Sequence, residues 1–354
     1  MTDMKEFYSG KKVLMTGHTG FKGTWMCHVL ALMGADLYGY ALEPPTEPSL
    51  YGLISADIKV SEIGDIADYE KLSTFYSRIK PDIVFHLAAQ PLVREGYRNP
   101  RSTYQSNVMG TVNILECVRI YGAKSFLNVT TDKVYYNIED SSHEYCEDER
   151  LDGFDPYSNS KSCSELVTHS YVHSFLSDKC PVSTARAGNV IGGGDFASER
   201  IVPDCVRAAV SDNEVILRNP NSVRPYQHVL EPLYSYLVIA MEQYNNPNLA
   251  GSYNIGPGEE DCVTTGELAQ KFCELWGNGM KWKALNDNGP HEANFLKLDN
   301  SKLRETFGIS PLWHIDDAIG KTVEWTKVWH SKGNIGECTD NQIREYMKGR
   351  GIDV

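Results

Sequence analysis

From residue 11 to residue 185, short apolar runs alternate with longer segments whose apolar residues recur at helical spacing. The runs at 12–15, 37–40, 60–63, 83–87, 126–129 and 182–185 read as strands. Segments 24–33, 69–79 and 103–121 read as helices, with Gly34 and Gly122 as their C-terminal stops. Strand alternating with helix is the pattern of a parallel sheet covered by helices. The expected fold class is therefore α/β, a doubly wound, Rossmann-like parallel sheet. Past Ala187 the rhythm changes to turns rich in Gly, Pro and Asn at 189–195 and 219–225, around a helical stretch at 203–210. Helical segments follow at 233–244, 265–276 and 316–329, which predicts a smaller mixed α/β lobe, with part of the chain returning to the first.

With 354 residues, 41% of them hydrophobic, the chain can bury a sizeable core. Its net charge of -13, with no block of Lys and Arg, argues against nucleic acid or an anionic membrane surface as partner. Isolated Arg and Lys in loops then become the places to look for an anionic ligand. The 9 Cys contain no C-x-x-C pair, so neither a disulfide framework nor a zinc site is signalled, and no metal is expected. A reducing compartment, no apolar run of spanning length and no leader-like N-terminus predict a cytoplasmic protein.

The most informative run is Thr16-Gly17-His18-Thr19-Gly20-Phe21-Lys22-Gly23, which ends a strand and opens a helix. In that context Gly17 can make a tight turn, Gly20 lets backbone approach a pyrophosphate and Gly23 permits close helix packing. Residues 17–23 are thus expected to bind a dinucleotide. No acidic residue ends the second strand, where Tyr40-Ala41-Leu42 stands and Glu43 is only nearby, so the ribose contact is unassigned. The absence of Arg or Lys between Asp36 and Ser49 favours NAD over NADP. Asp65 and Ile66, past the third strand, are candidates to bracket the adenine, although Asp65 could equally cap the next helix. Leu87, Ala88, Ala89 and Gln90 close the fourth strand where a cofactor would cross the sheet.

Tyr157 and Lys161 lie four residues apart behind Pro156, a good first residue for a helix, so both side chains share one face. An ammonium and a nicotinamide cation nearby would favour the phenolate and make Tyr157 a base. The fifth strand ends in Thr130-Thr131-Asp132-Lys133, a polar cluster where ligands bind in open α/β sheets. Thr130 is assigned to the cofactor with Tyr157 and Lys161; Thr131, Asp132 and Lys133 join Tyr157 and Lys161 as catalytic candidates. Asn189, Arg200, Arg218, Arg224 and His228 are candidates for sugar, phosphate and base, His228 having the alternative of core packing.

Together with Ala88-Ala89-Gln90-Pro91-Leu92-Val93-Arg94, Arg186-Ala187-Gly188-Asn189, Arg224-Pro225-Tyr226-Gln227-His228 and His291-Glu292-Ala293, these motifs resemble the extended short-chain dehydrogenase/reductase superfamily. The likeness is nearest to its 4,6-dehydratases acting on CDP-glucose, and it runs nearly end to end. It implies an NAD-dependent lyase that converts CDP-glucose to a 4-keto-6-deoxy sugar nucleotide. On that basis 1–187 is the expected dinucleotide-binding domain, with returning segments near 228–258 and 315–335. Segments 188–227 and 259–314 form the nucleotide-sugar lobe, and 336–354 is a C-terminal extension. The resemblance also implies a homodimer or homotetramer through helices at 107–121 and 156–175.

Within that reading Tyr157 takes the proton of the 4-hydroxyl and Asp132 protonates the departing 6-hydroxyl, a role that requires burial to raise it. Related dehydratases carry Glu after the Asp as carbon 5 base, whereas Lys133 stands here; it acts either as a neutral base or as a cation steadying the enolate. A 4-epimerase or decarboxylase would share the glycine loop, Tyr157 and Lys161, and a non-catalytic dinucleotide sensor would share the loop alone.

Overall fold

The computed structural model describes residues 3–140, 142–285 and 296–354. Strands β1 (Lys12–Thr16), β2 (Asp36–Ala41), β3 (Val60–Ile63), β4 (Ile83–His86), β5 (Ser125–Val129) and β6 (Val182–Ala187) form on the six apolar runs. Beyond them come β7 (Asn189–Ile191), β8 (Val215–Leu217), β9 (Val223–His228), β10 (Ser252–Ile255), β11 (Cys262–Thr264) and β12 (Trp282–Ala284). The main sheet has seven strands in the order β10-β6-β5-β4-β1-β2-β3, every neighbouring pair parallel. The order reverses between β1 and β4, which opens the crevice at their carboxyl ends where doubly wound sheets bind ligands.

Alternation along each strand splits the core in two. From β1, Val13 and Met15 point into a cluster with Trp25, Val29 and Leu30 of the helix Phe21–Leu32 and Leu233 and Leu237 of the helix Leu230–Asn245. Leu14, between them, enters a second cluster with Leu72, Phe75 and Tyr76 of the helix Tyr69–Ile79 and Ile114 and Val118 of the helix Gly110–Tyr121. The smaller lobe has its own core around Val202, Cys205, Tyr226, Leu268, Phe272 and Ile319. It carries a three-stranded sheet, β11-β9-β7, and the pair β12-β8.

Three departures from the sequence expectation have physical causes. The edge strand β10 reads Ser-Tyr-Asn-Ile, too polar to stand out as an apolar run. The stretch 103–121 is interrupted by a π-helical turn, Gln105–Met109, which opens between the helices Pro100–Tyr104 and Gly110–Tyr121. The helix Ile315–His330 straddles the lobes, with Ile315, Ala318, Ile319 and Val323 in the small core and Trp325 in the large one. The chain's last helix, Ile335–Gly349, buries Ile343, Tyr346 and Met347 in the large core. Among the described residues, no helix is long and apolar enough to cross a membrane.

Candidate active site

A cleft of about 1610 Å³ runs along the carboxyl edge of the sheet between the lobes. That is above the ~300–1,000 Å³ of a single small-molecule pocket. Gly17, Thr19, Gly20, Phe21, Lys22 and Gly23 line one end. Gly17 adopts φ of +79°, the left-handed region, and a Cβ there would meet the Ala88 nitrogen at 2.8 Å. At Gly23 a Cβ would fall 2.2 Å from the Gly17 carbonyl oxygen, so the helix lies directly on the loop. Gly20 is the helix N-cap, and a Cβ there would meet only Gly17 O at 3.4 Å, leaving its outer side open to a ligand. Gly23→Ala should therefore lower stability by about 1–3 kcal/mol through overpacking, read as a lower midpoint of thermal unfolding; an unchanged midpoint would contradict this packing.

His18 departs from its assignment. Its side chain is buried beneath the loop, against Gly39, with Nε2 2.7 Å from the Ser61 hydroxyl, and it does not line the cleft. Burial depresses it to about 4, so a neutral ring props the loop against β2. Asp65, Ile66, Leu87, Ala88, Ala89 and Gln90 all line the cleft, with Glu43 on the same wall. The Asp65 carboxylate also accepts the Ala67 N–H at 2.9 Å, but the helix Tyr69–Ile79 is capped by Asp68, which accepts from the Lys71 N–H, so Asp65 is not its cap.

Thr130, Thr131, Lys133, Tyr157 and Lys161 line the same cleft as the glycine loop. Asp155 caps the helix Pro156–Tyr171, accepting from the Tyr157 and Ser158 N–H groups, which fixes where Tyr157 starts the helix. One turn on, Lys161 Nζ donates to Val129 O at 3.0 Å and ties the helix to the end of β5. Burial pushes Tyr157 up to about 12, with the Asp132 charge adding to it and a Thr131 hydrogen bond and Arg200 opposing. Burial pulls Lys161 down to about 8. Among the protein's own groups burial outweighs the Thr131 hydrogen bond and the Arg200 charge, so the phenolate that Tyr157 needs as a base depends on the nicotinamide cation, the second of the two charges invoked for it. Asp132 does not itself line the cleft. Its Oδ1 accepts from Thr131 Oγ1 at 2.8 Å and from Lys133 Nζ at 3.1 Å. Its Oδ2 is buried without a partner among the described residues, 3.3 Å from where a Gly188 Cβ would stand, and Gly188 lines the cleft.

From the second lobe Asn189, Arg200, Arg218 and Arg224 line the cleft. Arg200 pairs with Asp195 at 3.1 Å, and the mostly buried Arg224 donates to Val223 O at 2.9 Å. His228 is corrected to the core: it is fully buried between Trp25 and Trp313 and does not line the cleft. The rings that enclose it also desolvate it, holding it at about 3. His291 and Glu292 lie outside the described residues.

Behind the site stands a group the motif search passed over. Glu165, four residues after Lys161 on the same helix, accepts from Thr130, Thr184 and Arg186, and Arg186 also donates to the Tyr135 hydroxyl at 2.8 Å. Two signals were present: the i, i+4, i+8 spacing of Tyr157, Lys161 and Glu165, and an Arg in the middle of an apolar strand.

The family model described as "NAD dependent epimerase/dehydratase family" matches residues 13–256. A CDP-glucose 4,6-dehydratase of Salmonella typhimurium is 45% identical over 352 residues, covering 97% of this chain and 98% of that protein. Among solved structures, an epimerase from Methanothermobacter thermautotrophicus matches with a TM-score of 0.81 at 22% identity, covering 93% of this chain and 96% of that one. A dTDP-glucose 4,6-dehydratase from Bacillus anthracis, in complex with NAD, matches at 0.76 and 20% identity, covering 92% and 99%. At these identities the two structures bear on the fold.

Proposed function

The chain belongs to the NAD dependent epimerase/dehydratase family, and from that premise we propose that it is a CDP-glucose 4,6-dehydratase, a lyase that makes CDP-4-keto-6-deoxyglucose with NAD. The observation that carries the reading is one cleft lined both by the glycine loop and by Thr131, Lys133, Tyr157 and Lys161. The relative at 45% identity supports the choice of reaction and of nucleotide. Mass spectrometry of products from a panel of nucleoside diphosphate hexoses tests it. CDP-glucose should lose one water with no net consumption of NAD; a product of unchanged mass would point to a 4-epimerase instead.

The open face of Gly20, the left-handed Gly17 and the N-terminus of the helix Phe21–Leu32 suit a pyrophosphate. NAD, when bound, supplies the hydride acceptor that later gives the same hydride back to the sugar. The chain's residues do the rest. Tyr157 takes the proton of the 4-hydroxyl, oriented by Thr131, while Lys161 fixes the helix and supplies a cation. The Asp132 carboxylate and the Lys133 amine stand 3.1 Å apart, within reach of a proton transfer. With the proton on Asp132 it is an acid for the carbon 6 oxygen, and the neutral Lys133 beside it is a base for the carbon 5 proton. Asn189, Arg200, Arg218 and Arg224 take the sugar and diphosphate, the planar Arg forks matching phosphate oxygens.

The division of labour that goes with this reading assigns 1–187 to the dinucleotide and 188–227 with 259–314 to the sugar nucleotide. Exposed Met109, Ile120, Leu166 and Phe175 on the helices at 105–121 and 156–176 support a homodimer or homotetramer covering that face. Nine free cysteines suit a cytoplasmic setting.

A further inference from the structure

At one edge of the cleft a single carboxylate joins the two lobes. Glu199, in the connection from β7 to the helix Ile201–Val210, brings Oε1 within 3.0 Å of Arg98 Nη2 and 3.7 Å of Arg94 Nη1. Both arginines stand on the helix Val93–Arg98 after β4, one turn apart. Arg94 and Glu199 line the cleft with side chains 22% and 21% exposed, whereas Arg98 is 58% exposed, so the bridge lies where the cleft meets the surface. Its anchor in the first lobe is firm. Gly96, between the two arginines, lies against the start of the helix Pro156–Tyr171, where a Cβ would meet the Tyr157 nitrogen at 3.1 Å. Its anchor in the second lobe is a turn held on both sides. Upstream, the Gly193 carbonyl accepts from Trp25 Nε1 at 3.0 Å, and Phe196 packs against Trp325 and Trp329. Downstream, Val202, Cys205 and Val206 enter the small core. Between these fixed points Glu199 takes a φ of +61°, the left-handed region that L side chains disfavour. The next side chain then takes a different direction: Arg200 lines the cleft and reaches Asp195 at 3.1 Å, with its charge acting on Tyr157.

We propose that Glu199 is a positioning residue for the sugar nucleotide: bridged across the edge of the cleft to Arg94 and Arg98, it holds the turn that aims Arg200 at the diphosphate. The inference rests on the reading of Arg200 as a phosphate contact. An exposed ion pair by itself contributes little. Here two cations meet one carboxylate that has limited access to water, and what they hold is a disfavoured turn, which relaxes once the carboxylate is gone. The diphosphate takes no part in the bonds that change during water loss. Its contact with Arg200 is therefore made alike in the bound substrate and in the transition state, so losing it raises KM and leaves kcat in place.

Steady-state rates of water loss from CDP-glucose, measured on the full chain with NAD present, test this. Glu199→Gln keeps the side-chain volume and removes the charge; it should raise KM roughly fivefold, the upper end for one such ion pair, with kcat within about twofold of wild type. Glu199→Gly accepts the left-handed turn freely but offers no carboxylate, and should raise KM as well. The deciding comparison is a double replacement. Arg200→Ala should raise KM by itself, and adding Glu199→Gln to it should change KM no further, because Glu199 acts through Arg200. A carboxylate that served packing alone, or that touched the substrate directly, would add its own effect. A wild-type KM in either Glu199 variant, a loss confined to kcat, additive effects on KM in the double variant, or a wild-type KM in Arg200→Ala overturns the proposal. Wild-type protein that neither binds nor dehydrates CDP-glucose overturns the reading of the reaction itself, a result seen before any variant is compared.

Discussion

Replacing Lys133 by Met should slow water loss from CDP-glucose by about 100-fold or more, the span removed with a positioned acid or base, while leaving the affinity for NAD unchanged. The Asp132–Lys133 pair is the reason. Lys133 Nζ is the only side-chain nitrogen hydrogen-bonded to Asp132 among the described residues, and Thr131 Oγ1 is the other partner of the same carboxylate oxygen. Met fills similar space without accepting or returning a proton, so Asp132 loses the group with which it exchanges one. The defect should fall after oxidation at carbon 4. Mixing Lys133→Met with NAD and CDP-glucose should then build up the absorbance of reduced cofactor without releasing a dehydrated product. Tyr157→Phe should behave differently and accumulate no reduced cofactor, since it lacks the base for the first step. Near-normal turnover by Lys133→Met would remove Lys133 from the mechanism, and loss of NAD binding would recast it as a cofactor residue.

Residues whose role follows from local backbone geometry were legible before any coordinates. Gly17 and Gly23 have their turn and packing roles dictated by residue type at fixed spacing, and the six apolar runs became six parallel strands. Side chains whose role depends on what lies above or below them were not. His18 belongs to the glycine loop by position, yet it turns inward because Gly39 of β2 leaves room for an imidazole and Ser61 of β3 offers a hydroxyl. Only the pairing of β2 with β3 brings those two residues beside it. His228 follows the cleft-lining Arg224 by four residues, which along a strand places the two on one face, but the Trp25 and Trp313 rings of other elements enclose it in the core. The depth of burial at Tyr157 was illegible for a related reason: sequence spacing reveals the nearby ammonium and not the desolvation that pushes the phenol up to about 12.

Removing Glu165 tests whether the active-site floor rests on a buried charge pair. Glu165→Ala should cost about 3–5 kcal/mol, the usual penalty for leaving one partner of a buried pair uncompensated. Arg186 is fully buried and makes two hydrogen bonds to that carboxylate, at 3.1 and 3.0 Å, and no other carboxylate pairs with it among the described residues. Burial alone would push Glu165 up, but the Arg186 charge and the hydrogen bonds from Arg186, Thr130 and Thr184 outweigh it and hold the group below its ordinary value. A depressed carboxylate contributes stability that is present above its unfolded pKa of about 4.5 and lost as the pH falls through the folded one. Denaturant unfolding should therefore show the wild-type advantage over Glu165→Ala shrinking in acid below that value. Glu165→Leu combined with Arg186→Met should recover much of the loss, because the expense lies in the orphaned charge more than in the missing bonds. The site should feel the single change as well. Thr130 gives its hydroxyl to Glu165 at 2.5 Å and immediately precedes Thr131, so turnover should fall in folded Glu165→Ala while the doubly replaced protein regains stability without regaining that anchor. A single variant within about 1 kcal/mol of wild type would mean that water or a rearranged neighbour compensates Arg186, and the pair would no longer account for the rigidity of the β5 terminus.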